Sequence, residues 1–364
     1  MSMLAALESA GAQKALSFMC LGIFGRLIKD RFTVPQMAGI QRLILDAMLP
    51  CVIFQSLCSI ELDLSVAKWP LMGLAFLGFQ LASTYACTLA VFPGKGLAMP
   101  RRTAFLQLAT TAPGLSALVF VKEFVGAEAA GKAALFDLPG KLYLIFVLPK
   151  LLATFGEKKA AKAKKAEGSA LAALASDPLN VAIVGGLLMA ATGTPYKSLK
   201  FVGQAITMTS AAQSPVLFML IGMKIKLSGA TPSACLVLLS ARQACAYAFH
   251  AAVCHFMGLA GPEALTLLLM LQAAVSVIAW SQMSKAGDSG IGGYSTEFAF
   301  DIVGFAMPIA MALQTTACLA PQAAVLAAVP PAAGVAAAAA GLLFANVRGK
   351  LQSPATWNDL DKSA

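Results

Sequence analysis

The sequence predicts an all-α membrane protein of about ten transmembrane helices, arranged as two inverted five-helix repeats. Three observations predict it: an apolar composition, apolar runs separated by short charged or Gly/Pro connections, and similarity between the two halves of the chain. Of 364 residues, 59% are apolar and 12% charged, and the mean hydropathy is +0.77. Soluble domains run about 45–50% apolar and about 25% charged, which excludes an ordinary cytosolic enzyme and a disordered chain. A crossing takes ~20 mainly apolar residues, so about ten crossings use about 200 residues and leave short loops.

The first run, near 13–28, follows MSMLAALESAGAQK, which carries Glu8 and no early basic cluster. That start does not resemble a cleaved secretory signal, so the first membrane helix is expected to direct insertion. The second run, near 37–60, contains LPCVIFQSLCSIELDLS from Leu49 and is led by Pro50, with Asp46 just ahead. The third lies near 66–92, the fourth near 101–125 and the fifth near 132–154. EKKAAKAKKAEGSALAALAS follows, with Lys158, Lys159, Lys162, Lys164 and Lys165 against Glu157 and Glu167, and divides the chain near its middle. Five more runs lie near 178–193, 201–223, 231–258, 262–285 and 295–319. The organisation is therefore a first repeat over 1–154, a Lys-rich cytoplasmic linker over 155–176, a second repeat over 177–320 and an Ala-rich tail over 321–364. The tail is long enough to cross once more, but Pro330-Pro331 removes two backbone donors and interrupts a helix there.

The repeat rests on a nearly constant offset. A shift of 165 residues pairs Pro50 with Pro215, Ile60 with Ile225, Leu62 with Leu227, Leu71 with Leu236, Leu74 with Leu239, Gln107 with Gln272 and Ala109 with Ala274. A shift of 164 pairs Phe136-Asp137 with Phe300-Asp301. Five crossings per half are odd in number, so the second half enters the membrane inverted, as in many secondary transporters. Loop charge orients the chain, because Lys and Arg concentrate on the cytoplasmic side. With the N-terminus outside, the inner loops hold Lys29 and Arg31, Lys95, Arg101 and Arg102, the central lysines, Lys224 and Lys226, and Lys285. The outer loops hold Lys68, Lys122, Lys132, Lys197 and Lys200. The same rule explains the net charge of +10 without a nucleic-acid partner. All eight cysteines fall singly inside apolar runs, without CxxC spacing, and read as packing residues.

Candidate chemistry gathers at the fourth and ninth runs. A broken helix is tolerated inside a bilayer only where protein or a water-filled cavity surrounds it. TAFLQLATTAPGLSALVFVKEF carries Pro113-Gly114 about halfway, with Gln107, Thr110, Thr111 and Ser116 around it. LTLLLMLQAAVSVIAWSQMSK carries Gln272, Ser276, Ser281 and Gln282 in the equivalent place, without a proline. If both helices unwind and cross, their half-helix N-termini present free N–H groups and positive dipole ends to an anion. Ionisable residues within crossings cost several kcal/mol and are functional candidates. Arg242 lies well inside the eighth run, where it holds a carboxylate substrate or snorkels to the surface. Asp137 and Lys141 are four residues apart on one helix face, as an ion pair that couples protons or only neutralises itself. Asp301, the repeat partner of Asp137, and Asp46 are weaker candidates of the same kind. His250 and His255 are five residues apart and do not share a helical face, so no metal is expected. GIGGYS from Gly290 lacks the context of a phosphate loop, and no Ser-His-Asp or HExxH pattern occurs, so neither an enzyme nor a cofactor is expected.

LILDAMLPCVIFQSLCSIELDLS and SPVLFMLIGMKIKLS resemble the second and seventh helices of the auxin efflux carrier (PIN-like) family, within the bile-acid-symporter-like superfamily. VFVKEFVG, Val119 to Gly126, resembles the family's run after the fourth-helix crossover, with Lys122 and Gly126 on matching positions, and Arg242 resembles a basic position in its eighth helix. The similarity covers residues 13 to 320 through short motifs. It implies two inverted five-helix repeats, crossed broken helices four and nine, and export of small organic anions by an elevator-like motion against a scaffold of helices 1, 2, 6 and 7. The sequence departs from the plant carriers at both crossovers: Thr111-Ala112, with Pro113 just after, stands where they have Pro-Asn, and Val275-Ser276 lacks the second proline. Malate-permease-like carriers of the wider family are equally compatible, and the long regulatory loop of some plant carriers is absent. The expected partners are a small organic anion such as auxin or a carboxylate and the lipid bilayer, with a homodimer left open. A sodium-coupled symporter of the related fold and a receptor that binds without turnover are the alternatives. Plasma membrane and endoplasmic reticulum are not distinguished.

Overall fold

The computed structural model describes residues 10–63, 65–91, 104–106, 108, 115–143, 147, 178–224, 232–272 and 296–319, and every regular element among them is helical. In chain order, α1 is Ala10–Ile28, and α2 (34–57) joins Val34–Leu43 to Leu49–Leu57 through a π-helical turn at Ile44–Met48. Helix α3 is Lys68–Val91, α4 is Leu115–Phe120 continued by a π-helical turn at Val121–Val125, and α5 is Ala127–Leu142. Then come α6 (Pro178–Ala191), α7 (Phe201–Lys224), α8 (Pro232–Met257), α9 (Gly261–Gln272) and α10 (Thr296–Leu319).

Local chemistry sets several boundaries. Thr33 and Gln36 cap α2 reciprocally, with the Gln36 side chain accepting from the Thr33 N–H at 2.8 Å. The π turn in α2 carries Asp46, whose carbonyl would otherwise meet the ring of Pro50 four residues on; the wider turn spares that clash. Asp63 accepts hydrogen bonds from Ser65 Oγ at 2.6 Å and Val66 N at 3.0 Å, fixing the turn that leads into α3. Chiefly through the Ser65 bond, its carboxyl is held below the usual carboxylate range. Helix α5 begins at Ala127, five residues earlier than the apolar run suggests. Gly126, at φ 125°, ends the preceding π turn, and α5 then takes in Glu128 and Lys132, which pair at 2.9 Å.

Among the described residues, three helices are long and apolar enough to cross a bilayer: Pro35–Leu57, Lys68–Leu89 and Phe201–Met223, of 23, 22 and 23 residues. At 1.5 Å per residue they span about 33–35 Å, against ~30 Å of hydrocarbon. Pro178–Ala191 and Ile302–Cys318 are apolar and shorter. Leu71, Leu74, Val181, Val184, Leu188, Phe201 and Met208 are exposed, giving these helices outward apolar faces suited to lipid.

Packing divides the described helices into two groups. Helix α1 lies along α7, and α2 packs against α6 and α7. Helix α3 packs against α5 and α8, while α9 sits among α5, α8 and α10. Contacts of α2 with α5 and of α1 with α10 join the groups. Glycines allow the closest approaches: a Cβ on Gly222 would strike the backbone oxygen of Gly22, one on Gly25 that of Met219, and one on Gly73 that of Phe136. Such small-residue contacts let helix backbones approach closely, as they do between helices in membranes. Phe18 stacks on Phe218 with centroids 4.4 Å apart, and Phe120 meets both edge-on, docking α4 onto the α1–α7 pair. Phe76 ties α5 through Phe136 and α8 through Phe249, at 5.8 and 5.2 Å.

Among the described residues, the ion pairs other than Asp137–Lys141 lie at one end of the bundle. Glu263 bridges Lys68 at 2.8 Å and Lys132 at 3.5 Å, gathering the starts of α3, α5 and α9. Lys14 pairs with Glu123, joining the start of α1 to the end of α4. Lys68, Lys122 and Lys132, which loop charge assigns to the outer side, thus come to the same end.

Candidate functional site

Gln107, Thr110, Thr111, Pro113, Gly114 and Ser276 lie outside the described residues. Ser116 falls in α4 and Asp301 in α10. Two of the sequence-predicted site residues, Arg242 and Gln272, are brought together by the packing of α8 on α9.

Arg242 is 1% exposed and reaches the end of α9, where Nη1 donates to the Leu271 carbonyl at 3.1 Å and to Gln243 Oε1 at 3.2 Å. Its Nε and Nη2 have no hydrogen-bond partner among the described residues. Those two nitrogens form one edge of the guanidinium, the fork that matches the two oxygens of a carboxylate. Gln272, 3% exposed, donates through Nε2 to the Tyr247 hydroxyl at 3.4 Å. Gln272 Oε1 and Gln243 Nε2 are unpartnered among the described residues. Gln314 of α10 donates to the Leu269 carbonyl at 3.1 Å and leaves its own oxygen free in the same sense.

A buried guanidinium with no carboxylate within ion-pair distance among the described residues is an expensive arrangement, since an isolated ion out of water costs several kcal/mol. The cluster offers a positive charge, a two-pronged donor, an extra amide donor in Gln243 and an amide acceptor in Gln272. Chemically, it can hold a planar anion that also carries a hydrogen-bond donor. The sequence singles out Arg242 and Gln272 as candidates but not Gln243, Tyr247 or Gln314, whose polar contacts only the packing brings into view. The available signal was the spacing of Gln243 and Tyr247, four apart on one face of α8.

Asp137 and Lys141 form an ion pair of 3.0 Å on α5, both side chains buried. Asp46 is exposed on the π turn of α2. Removing one member of a buried pair strands the other charge at about 3–5 kcal/mol, whereas replacing both by apolar groups is often neutral. Asp137→Asn is therefore expected to lower the unfolding midpoint sharply, and Asp137→Leu/Lys141→Met to recover most of it, in thermal unfolding of detergent-solubilised protein. Equal loss in both variants would mean that the pair is needed for more than mutual neutralisation.

No family model matches the chain, and no curated protein is significantly similar to it.

Proposed function

We propose that the chain is a secondary membrane transporter, an efflux carrier or facilitator of a small organic anion, working by alternating access at crossed fourth and ninth helices. The observation that carries this reading is the free fork of buried Arg242 beside Gln272, on helices of a bundle with membrane-length apolar members. The packing pattern supports the inverted repeat. If α1 and α2 correspond to α6 and α7, the α1–α7 contact maps onto α6–α2; likewise α3–α5 maps onto α8–α10, and all four contacts occur. The grouping of α1, α2, α6 and α7, joined to α3, α5 and α8–α10 through the α2–α5 and α1–α10 contacts, is compatible with a scaffold against which the second group moves. The resemblance of the motifs at Leu49, Ser214 and Val119 to the auxin efflux and malate-permease-like carriers supports this reading.

The test is uptake of labelled indole-3-acetate and malate into liposomes holding the purified protein, with and without proton or sodium gradients. Saturable flux, reduced about tenfold by Gln272→Ala through loss of one hydrogen bond to a charged ligand, is the expected result. Flux that requires sodium would assign a symporter. Tight binding without flux would make the protein a receptor, and neither binding nor flux would overturn the substrate class.

A further inference from the structure

A second set of donors lies away from Arg242, at the end of the bundle that carries the ionic contacts. Lys122 sits in the π turn that closes α4, where Gly126 N reaches back to the Val121 carbonyl at 3.0 Å. Its Nζ donates to Gln55 Oε1 of α2 at 3.3 Å, an oxygen that already accepts from Ser210 Oγ of α7 at 2.7 Å. The neighbouring Glu123 is engaged with Lys14. Among the described residues, half-buried Lys122 therefore has three N–H donors, one shared neutral acceptor and no carboxylate within ion-pair distance.

The adjoining hydroxyl adds to this surplus. Tyr196, 9% exposed, accepts from Gln55 Nε2 at 2.6 Å. Thr207 has one hydroxyl proton and a better acceptor in the Gly203 carbonyl, at 2.9 Å, than in Tyr196, at 3.5 Å. Among the described residues, the Tyr196 proton is left with only that long contact. Acceptors are thus used up while a cation and a phenol retain donors, between α4 on one side and α2, α7 and the 196–199 turn on the other.

We propose that Lys122, Gln55 and Tyr196 form an anion-binding site that takes a carboxylate or phosphate group between α4 and the α2–α7 pair. The group's two oxygens accept from Lys122 Nζ and the Tyr196 hydroxyl. The free amide hydrogen of Gln55 remains beside them. A soluble anion and the phosphate of a lipid headgroup present the same chemistry here. The proposal does not depend on transport or on Arg242.

The test uses the full chain carrying Arg242→Gln, so that the buried fork does not respond, in phosphatidylcholine nanodiscs at fixed ionic strength in sodium chloride. Unfolding midpoints are followed while acetate or inorganic phosphate replaces chloride, and again in nanodiscs containing phosphatidylglycerol. A saturable rise is expected. It should disappear with Lys122→Gln, persist with Lys122→Arg, and need about tenfold more anion with Tyr196→Phe. A shift present in phosphatidylglycerol without added anion, and lost with Lys122→Gln, would identify the lipid headgroup as the source. An equal rise with and without Lys122→Gln, or none in either lipid, would overturn the site. If Lys122→Gln does not fold, an unchanged anion response in Tyr196→Phe overturns it instead.

Discussion

Replacing Gly222 by leucine is expected to remove monodisperse, folded protein. Helices α1 and α7 cross with backbone against backbone: a Cβ at Gly222 would strike the Gly22 carbonyl, and one at Gly25 would strike Met219. Ordinary overpacking costs about 1–3 kcal/mol because side chains can yield. Here the obstacle is a main-chain oxygen, and separating the helices would also open the Phe18–Phe218 stack and pull Phe120 from both rings. The cost should lie at the top of that range or above it. Gly78→Leu is the control, because a Cβ there meets nothing within 4 Å. Size-exclusion chromatography and unfolding midpoints in detergent give the comparison. A Gly222→Leu protein as monodisperse and as stable as Gly78→Leu would show that this crossing does not hold the bundle together.

The helices were legible in the sequence because their apolar runs end at charge, glycine and proline, and most boundaries fall within three residues of the runs. The start of α5 was not. Glu128 and Lys132 look like loop residues, yet they fit into a helix because they pair with each other and Lys132 reaches Glu263 across the bundle. The start of α2 was legible and overlooked, since Thr33 three residues before Gln36 is a capping signal. At the site, Arg242 stood out because a charge within an apolar run demands a reason, and Asp137–Lys141 because four-residue spacing pairs them. Gln243 and Tyr247 did not stand out. A glutamine or tyrosine in a membrane helix is ordinary until packing shows that its polar atoms lack partners, and that is a fact of tertiary structure. The crossover residues Gln107, Thr110, Thr111, Pro113, Gly114 and Ser276 fall outside the described residues, so the predicted meeting of the two broken helices rests on sequence.

Arg242→Gln is expected to abolish saturable anion flux while leaving the protein as stable as the parent or more so. The two effects have opposite signs because the guanidinium serves the ligand at the expense of the fold. With Nε and Nη2 unpartnered and the residue 1% exposed, the charge is buried without compensation among the described residues. Replacing buried ionic groups by neutral ones of similar volume is often neutral or stabilising by about 1–4 kcal/mol. Glutamine ends where Nε lies, two atoms short of Nη1, so it gives up the bond to the Leu271 carbonyl, which offsets part of that gain. The ligand loses both prongs of the fork, and a charged group stranded in that way costs about 3–5 kcal/mol, a loss of more than a hundredfold in apparent affinity. Arg242→Lys separates charge from geometry: it keeps the cation but not the planar fork, so flux should persist with KM raised about tenfold or more. Unfolding midpoints and flux, measured on the same three preparations, decide the matter. An arginine that only braces α8 against α9 would lose stability and flux together in Arg242→Gln, and its lysine variant would recover neither. A stable Arg242→Gln protein without flux, beside a slow Arg242→Lys protein, requires that the anion sit on the guanidinium.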